Sequence, residues 1–202
     1  MKNTVVYIHG KGGFAEEAEH YKPLFTSCKV IGLSYKSNTP MEAKKEFLNF
    51  FTEQRKGCDS LKIIANSIGA FFAMSSLNKT IIDSAWFISP IVDMEKLICN
   101  MMTAANVTEE ELKEKSEIAT DFGEVLSWDY LCYVRNNPIK WNVPTQILYG
   151  DRDNLTDINT VSNFAKQIGA GLTIMNGGEH WFHTDRQMRF LDNWIKSGLK
   201  QK

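Results

Sequence analysis

The sequence predicts a three-layer α/β/α fold around a mostly parallel sheet of six strands. Two observations point there. Six short apolar, β-branched runs, at residues 4–9, 29–35, 61–66, 84–89, 146–150 and 172–176, are each bounded by Gly, Pro, Asn or Ser. They lack strict in–out alternation, as strands buried on both faces do. Longer amphipathic stretches lie between them, and strand–helix–strand alternation favours parallel strands joined by helical crossovers.

Taken in chain order, the first helical stretch is at residues 16–25, where Tyr21, Leu24 and Phe25 cluster at helical spacing. The second, at 41–56, carries an apolar stripe of Phe47, Leu48, Phe50 and Phe51. Further helical patterns cover residues 68–78, 157–168 and 185–197. The rhythm breaks between Pro90 and Pro144, where no strand pattern appears and helical ones fall at 94–105, 109–120 and 122–134. Thr108 and Glu111 read as a capping box heading the second of these. The expectation is a single domain over residues 1–202 with a helical, cap-like insertion at 91–143; an ordinary long crossover is the alternative. The apolar residues of that insertion (Leu97, Ile98, Met101, Met102, Leu126, Trp128, Tyr130 and Leu131) suit an acyl pocket or a packed core.

Composition narrows the partners. With 43% hydrophobic and 23% charged residues, the chain is ordinary for a globular protein. Its 23 Lys+Arg against 24 Asp+Glu leave a formal net charge of -1, with no basic surface to meet nucleic-acid phosphates. A small-molecule or protein partner is expected, and nothing indicates an oligomeric state. The apolar run after Thr4 is too short for a signal-peptide core, and no window has the apolar length of a membrane span. Cys28, Cys58, Cys99 and Cys132 are scattered, without CxxC pairs or histidines at metal spacing. They read as free thiols in a reducing compartment, the cytoplasm by default.

Three patterns carry chemistry. Ala65-Asn66-Ser67-Ile68-Gly69 joins an apolar strand to a helical run. A serine on so sharp a turn needs small residues two before and two after it, where strand and helix approach closely. The turn lifts the hydroxyl clear of the sheet and aims the next backbone N–H groups at whatever it attacks. A serine opening a helix is also a common N-cap. His9-Gly10-Lys11-Gly12-Gly13 follows the first strand, and its glycines let backbone N–H groups approach an anion. The Lys11 amide would be one donor for an oxyanion and the Ile68 amide the other. Gly10-x-Gly12-x-x-Ala15 equally satisfies a dinucleotide fingerprint. The next strand end, Gly32-Leu33-Ser34-Tyr35-Lys36, lacks a ribose-binding acid, although Ser34 and Lys36 would suit a 2′-phosphate as in NADP. Finally, Gly150-Asp151-Arg152-Asp153 and Gly177-Gly178-Glu179-His180 put carboxylates and a histidine just past two late strands. The order Ser, Asp, His at the ends of parallel strands favours acyl-transfer chemistry over nucleotide binding, which leaves Ser67, Asp153 and His180 without a role.

In these pieces the sequence resembles the α/β-hydrolase superfamily, and the likeness spans almost the whole chain. The family's G-x-x-D pattern, matched by Gly150 and Asp153, selects Asp153 over Asp151; its placing of the histidine near the last strand's glycines selects His180 over His183. Two departures stand out: Ala65 replaces the usual elbow glycine, and the usual first antiparallel strands do not precede the strand at Thr4. The resemblance implies a serine hydrolase of esters or related acyl bonds, with Ser67 as nucleophile, His180 as base and Asp153 orienting it. It implies no metal and no organic cofactor. A non-catalytic small-molecule binder on the same fold is the second reading. His9 is expected to shape its loop, His20 to pack or face solvent, and Trp181 and Phe182 to pack beside the histidine.

Overall fold

A computed structural model describes residues 2–200. Six strands form one sheet: β1 (Asn3–Ile8), β2 (Cys28–Leu33), β3 (Ser60–Asn66), β4 (Ser84–Ile88), β7 (Thr145–Gly150) and β8 (Gly171–Met175). Their spatial order is β2-β1-β3-β4-β7-β8, and every pairing is parallel. The chain runs outward from β1 to β2, then returns to the other side of β1 for β3. That reversal falls at β1 and β3, and open parallel sheets bind ligands beyond the carboxyl ends of the strands at such a point.

The sheet is covered on both faces, which explains its uninterrupted apolar runs. On one face Val5, Tyr7, Ile64, Trp86, Ile88, Leu148 and Met175 form a buried cluster with Tyr21, Phe25, Leu191, Trp194 and Ile195. The last three belong to α7 (Asp185–Lys200). Tyr21 lies in the Ala15–Leu24 segment, where the expected helical stretch takes the form of a 3₁₀ helix. Pro23, near its end, has no N–H to donate to the preceding turn. On the other face lie α1 (Pro40–Lys56) and α2 (Ser67–Ser76), with Phe47 and Phe72 in edge-to-face contact. Helix α1 starts on a full Thr39/Glu42 capping box with Pro40 in its first turn. Helix α6 (Ile158–Ile168) packs beside the edge strand β8.

Two compact units emerge: residues 1–92 with 140–202, and residues 93–139. The second departs from the purely helical expectation. It contains α3 (Met94–Ala104), α4 (Glu109–Lys115) and α5 (Trp128–Asn136), but also a small antiparallel hairpin of β5 (Glu117–Ala119) and β6 (Val125–Ser127). Helix α4 stops where Ser116 turns to φ 64°, and Gly123 at φ 84° makes the hairpin turn. The helical readings of 109–120 and 122–134 are thereby corrected. Thr108 accepts the Glu111 N–H, but the Glu111 side chain bonds Lys115 at 2.7 Å instead of returning to the cap. Arg135 ties this unit together through Glu95 and Glu109. Of its apolar candidates, Ile98, Met102, Leu126 and Leu131 are buried, and Leu97, Met101, Trp128 and Tyr130 half-buried.

Among the described residues, no helix is long and apolar enough to cross a membrane. Nor do any three or more His, Cys, Asp or Glu among them form a group that could hold a metal. The four cysteines are free and half-buried.

Candidate active site

Strand β3 delivers Ser67 at its carboxyl end with φ 49°, a left-handed conformation that costs a non-glycine residue about 1–2 kcal/mol. Close packing holds it there. A Cβ on Gly69 would lie 2.3 Å from the His9 carbonyl oxygen, so only glycine lets α2 leave the strand at that angle. The Ile91 N–H donates to the Ser67 carbonyl at 3.2 Å. Ala65 is wholly buried within β3. Helix α2 begins at Ser67 itself and Asn66 occupies the cap position, so the serine hydroxyl is not a helix cap.

The loop after β1 lies against this elbow. A Cβ on Gly10 would sit 3.2 Å from Ser67 Cβ and 3.6 Å from the Asn66 carbonyl oxygen. The Gly13 N–H closes a turn onto the Gly10 carbonyl at 3.2 Å, around Gly12 at φ 74°. Lys11 is therefore exposed in the turn next to the residue that touches Ser67, while Ile68 is the second residue of α2. His9 shapes the loop: its ring stacks on Tyr35 with centroids 4.2 Å apart, and its carbonyl accepts the Tyr35 hydroxyl at 2.8 Å. Beyond Gly13 the chain enters the 3₁₀ helix, so the glycine loop does not lead into the α-helical N-terminus that a dinucleotide fingerprint requires.

The acid and the histidine come from the loops after β7 and β8. His180 Nε2 lies 2.8 Å from Ser67 Oγ, and its Nδ1 lies 2.7 Å from Asp153 Oδ2. The tautomer consistent with both partners has Nδ1–H donating to the carboxylate and Nε2 accepting the serine proton. The Asp153 side chain is 0% exposed and the His180 side chain 14%. Asp153 Oδ1 accepts the backbone N–H groups of Leu155 at 2.8 Å and Thr156 at 3.1 Å, so the buried carboxylate has partners on both oxygens. Ser67, His180 and Asp153 all belong to the first compact unit.

The competing residues do other things. Asp151 accepts the Gly177 N–H at 2.7 Å and so ties the two loops together. The Arg152 N–H bonds the Gly178 carbonyl at 2.8 Å, and Gly150 packs so tightly on Gly178 that a Cβ there would fall 2.4 Å from its carbonyl carbon. His183 is exposed and directs Nδ1 to the Trp181 carbonyl at 2.8 Å. Phe182 is buried, as expected, but Trp181 is 71% exposed and stacks on the His183 ring from outside. His20 meets Asp192 at 2.7 Å, half-buried at the surface.

Three contributors escape sequence reasoning. The buried Tyr149 hydroxyl donates to the Thr156 carbonyl at 2.7 Å and closes the loop that carries Asp153. Burial first, then the charges of Asp153, Asp157 and Asp151, push its phenol up to about 12, so the donor stays protonated. Tyr7 and Glu17 lie behind the elbow, where Tyr7 bonds both Glu17 and Asn66. Tyrosines inside apolar strands carry no spacing signal that separates them from core.

No family model matches the sequence, and no curated protein matches it. Solved structures do. Est1E from Butyrivibrio proteoclasticus superposes with a TM-score of 0.77 at 15% identity, covering 98% of this chain and 87% of that one. Mouse alpha/beta hydrolase domain-containing protein 10 superposes at 0.75 with 13% identity over 98% and 90%. An esterase of Pyrococcus furiosus gives 0.62 at 19% identity over 98% and 81%. The chain has the α/β-hydrolase fold. At such identities the likeness concerns architecture, and the α/β-hydrolase fold hosts many chemistries, so activity must be argued from the side chains.

Proposed function

We propose that the chain is a serine hydrolase that cleaves a small acyl ester or related acyl bond through an acyl-enzyme on Ser67. The observation carrying this reading is the unbroken line Ser67–His180–Asp153, with links of 2.8 and 2.7 Å and a carboxylate shielded from water. The hydroxyl of a free serine is too weak a nucleophile; neutral His180 takes its proton as the oxygen attacks the acyl carbonyl. Asp153 holds the imidazole in the tautomer that accepts at Nε2 and stabilises the imidazolium as it forms. The backbone N–H groups of Lys11 and Ile68 receive the oxyanion, each donor contributing about 3 kcal/mol to the transition state. His180 then protonates the leaving group, and water releases the acyl group by the same route in reverse.

Labelling by a fluorophosphonate tests the reading directly. Wild type is expected to label at one site, with labelling abolished in Ser67→Ala and strongly slowed in His180→Ala. Labelled protein then justifies a panel of acyl esters of increasing chain length. A feruloyl ester belongs in that panel, because Est1E has been solved with ferulic acid bound. A folded wild type that does not label would overturn the proposal in favour of a non-catalytic binder.

A further inference from the structure

Behind the elbow runs a chain of hydrogen bonds that proton transfer does not use. The Tyr7 side chain lies on β1, 1% exposed. Its hydroxyl donates to Glu17 Oε2 on the 3₁₀ helix and accepts Asn66 Nδ2 at 2.8 Å. The directions are fixed by chemistry. An ionised carboxylate can only accept, so the single Tyr7 proton is committed to Glu17, and Asn66 must present its NH₂ group to the remaining lone pair. Burial first, then the neighbouring Tyr21 and the Glu17 carboxylate, push the Tyr7 phenol far above its usual range, so that proton is held. Asn66 in turn precedes the strained residue, its own backbone extended at φ −101° and ψ 138° while Ser67 turns to φ 49°.

The same carboxylate touches the other half of the apparatus. A Cβ on Gly13 would fall 3.1 and 3.2 Å from the two Glu17 oxygens, so the Lys11 turn rests on this acid. Gly10, at the other end of that turn, rests on Ser67 and Asn66. One side chain from the 3₁₀ helix thus contacts the turn directly and reaches the elbow through Tyr7 and Asn66.

We infer that Glu17, Tyr7 and Asn66 form a tether that positions the nucleophile elbow against the Lys11 turn, keeping the Ser67 hydroxyl in register with the two backbone donors. The inference rests on the serine-hydrolase reading and names positioning residues for that same site. None of the three is a catalytic residue, since each acts through the backbone it holds. A loss of register of an ångström or less lowers turnover by up to about a hundredfold without changing how substrate binds at a distance.

The test compares Tyr7→Phe, Glu17→Ala and Glu17→Gln with wild type, using fluorophosphonate inactivation rates, kcat and KM on the best ester, and melting temperature. Tyr7→Phe keeps the ring and removes both bonds, and is expected to lower kcat and the inactivation rate together by about ten- to a hundredfold, with KM changed by less than about threefold. Glu17→Ala, at a half-buried position, is expected to show the same split. Glu17→Gln can still accept the Tyr7 proton and is expected to recover most of that loss. Variants that melt lower but label and turn over at the wild-type rate would overturn the inference while leaving the proposed function intact. A wild type that neither labels nor turns over would overturn both.

Discussion

The nucleophile and its two partners are held by different balances of contact. At the elbow steric fit comes first, backed by the Asn66–Tyr7 bond: Gly69 lies where a Cβ would strike the His9 carbonyl oxygen at 2.3 Å, and Gly10 where a Cβ would stand 3.2 Å from Ser67 Cβ. The Asp153 and His180 loops share one such close approach, Gly150 on Gly178, and add a larger set of hydrogen bonds. Asp151 reaches Gly177, Arg152 reaches Gly178, Tyr149 reaches Thr156, and Asp153 caps its own turn. The difference has a chemical reason. A strained serine needs neighbours that cannot yield, whereas a carboxylate and an imidazole need partners that orient them and satisfy their buried polar atoms.

Breaking each side in turn should expose that contrast. The largest effect is expected for Asp153→Asn, which preserves shape but favours the wrong imidazole tautomer; kcat should fall by about ten thousandfold with KM nearly unchanged. Steady-state kinetics on any ester that wild type accepts would check it. Gly69→Ala comes next. Its methyl has no room, so the elbow must shift, lowering stability by about 2–3 kcal/mol and kcat with it, as read by thermal melts and active-site titration. Asp151→Ala removes one exposed tie between the loops and should cost about 1 kcal/mol and less than about tenfold in kcat. Equal penalties from Gly69→Ala and Asp151→Ala would erase the distinction between the two sides.

That distinction also explains which features are legible in the sequence. The strand runs at 61–66 and 146–150 lie within one residue of β3 and β7, because strands covered on both faces must be apolar throughout. The glycines at 10 and 69 stand out because steric necessity leaves a residue-type signature at fixed spacing. Hydrogen-bonded ties leave none: Tyr7 meets Asn66 only through the sheet register that sets Ile8 beside Ala65, and Glu17 reaches Tyr7 from the 3₁₀ helix. The 93–139 unit reads as all-helical for a related reason. Its three-residue strands are too short for a period to show, and the Glu- and Lys-rich stretch before them reads as helix. Hydropathy alone assigns Trp181 to the interior, yet in an irregular loop Phe182 turns inward while its neighbour stacks on His183 outside.

The positive φ of Ser67 has a consequence for engineering. Glycine adopts that conformation freely, so Ser67→Gly should relieve the elbow and raise the melting temperature by about 2–4 °C, although it gives up the bond to His180. Ser67→Ala keeps the strain and should not gain. A library screened for heat resistance alone would therefore enrich glycine at this position and lose its chemistry, and any such campaign has to select for turnover in the same round.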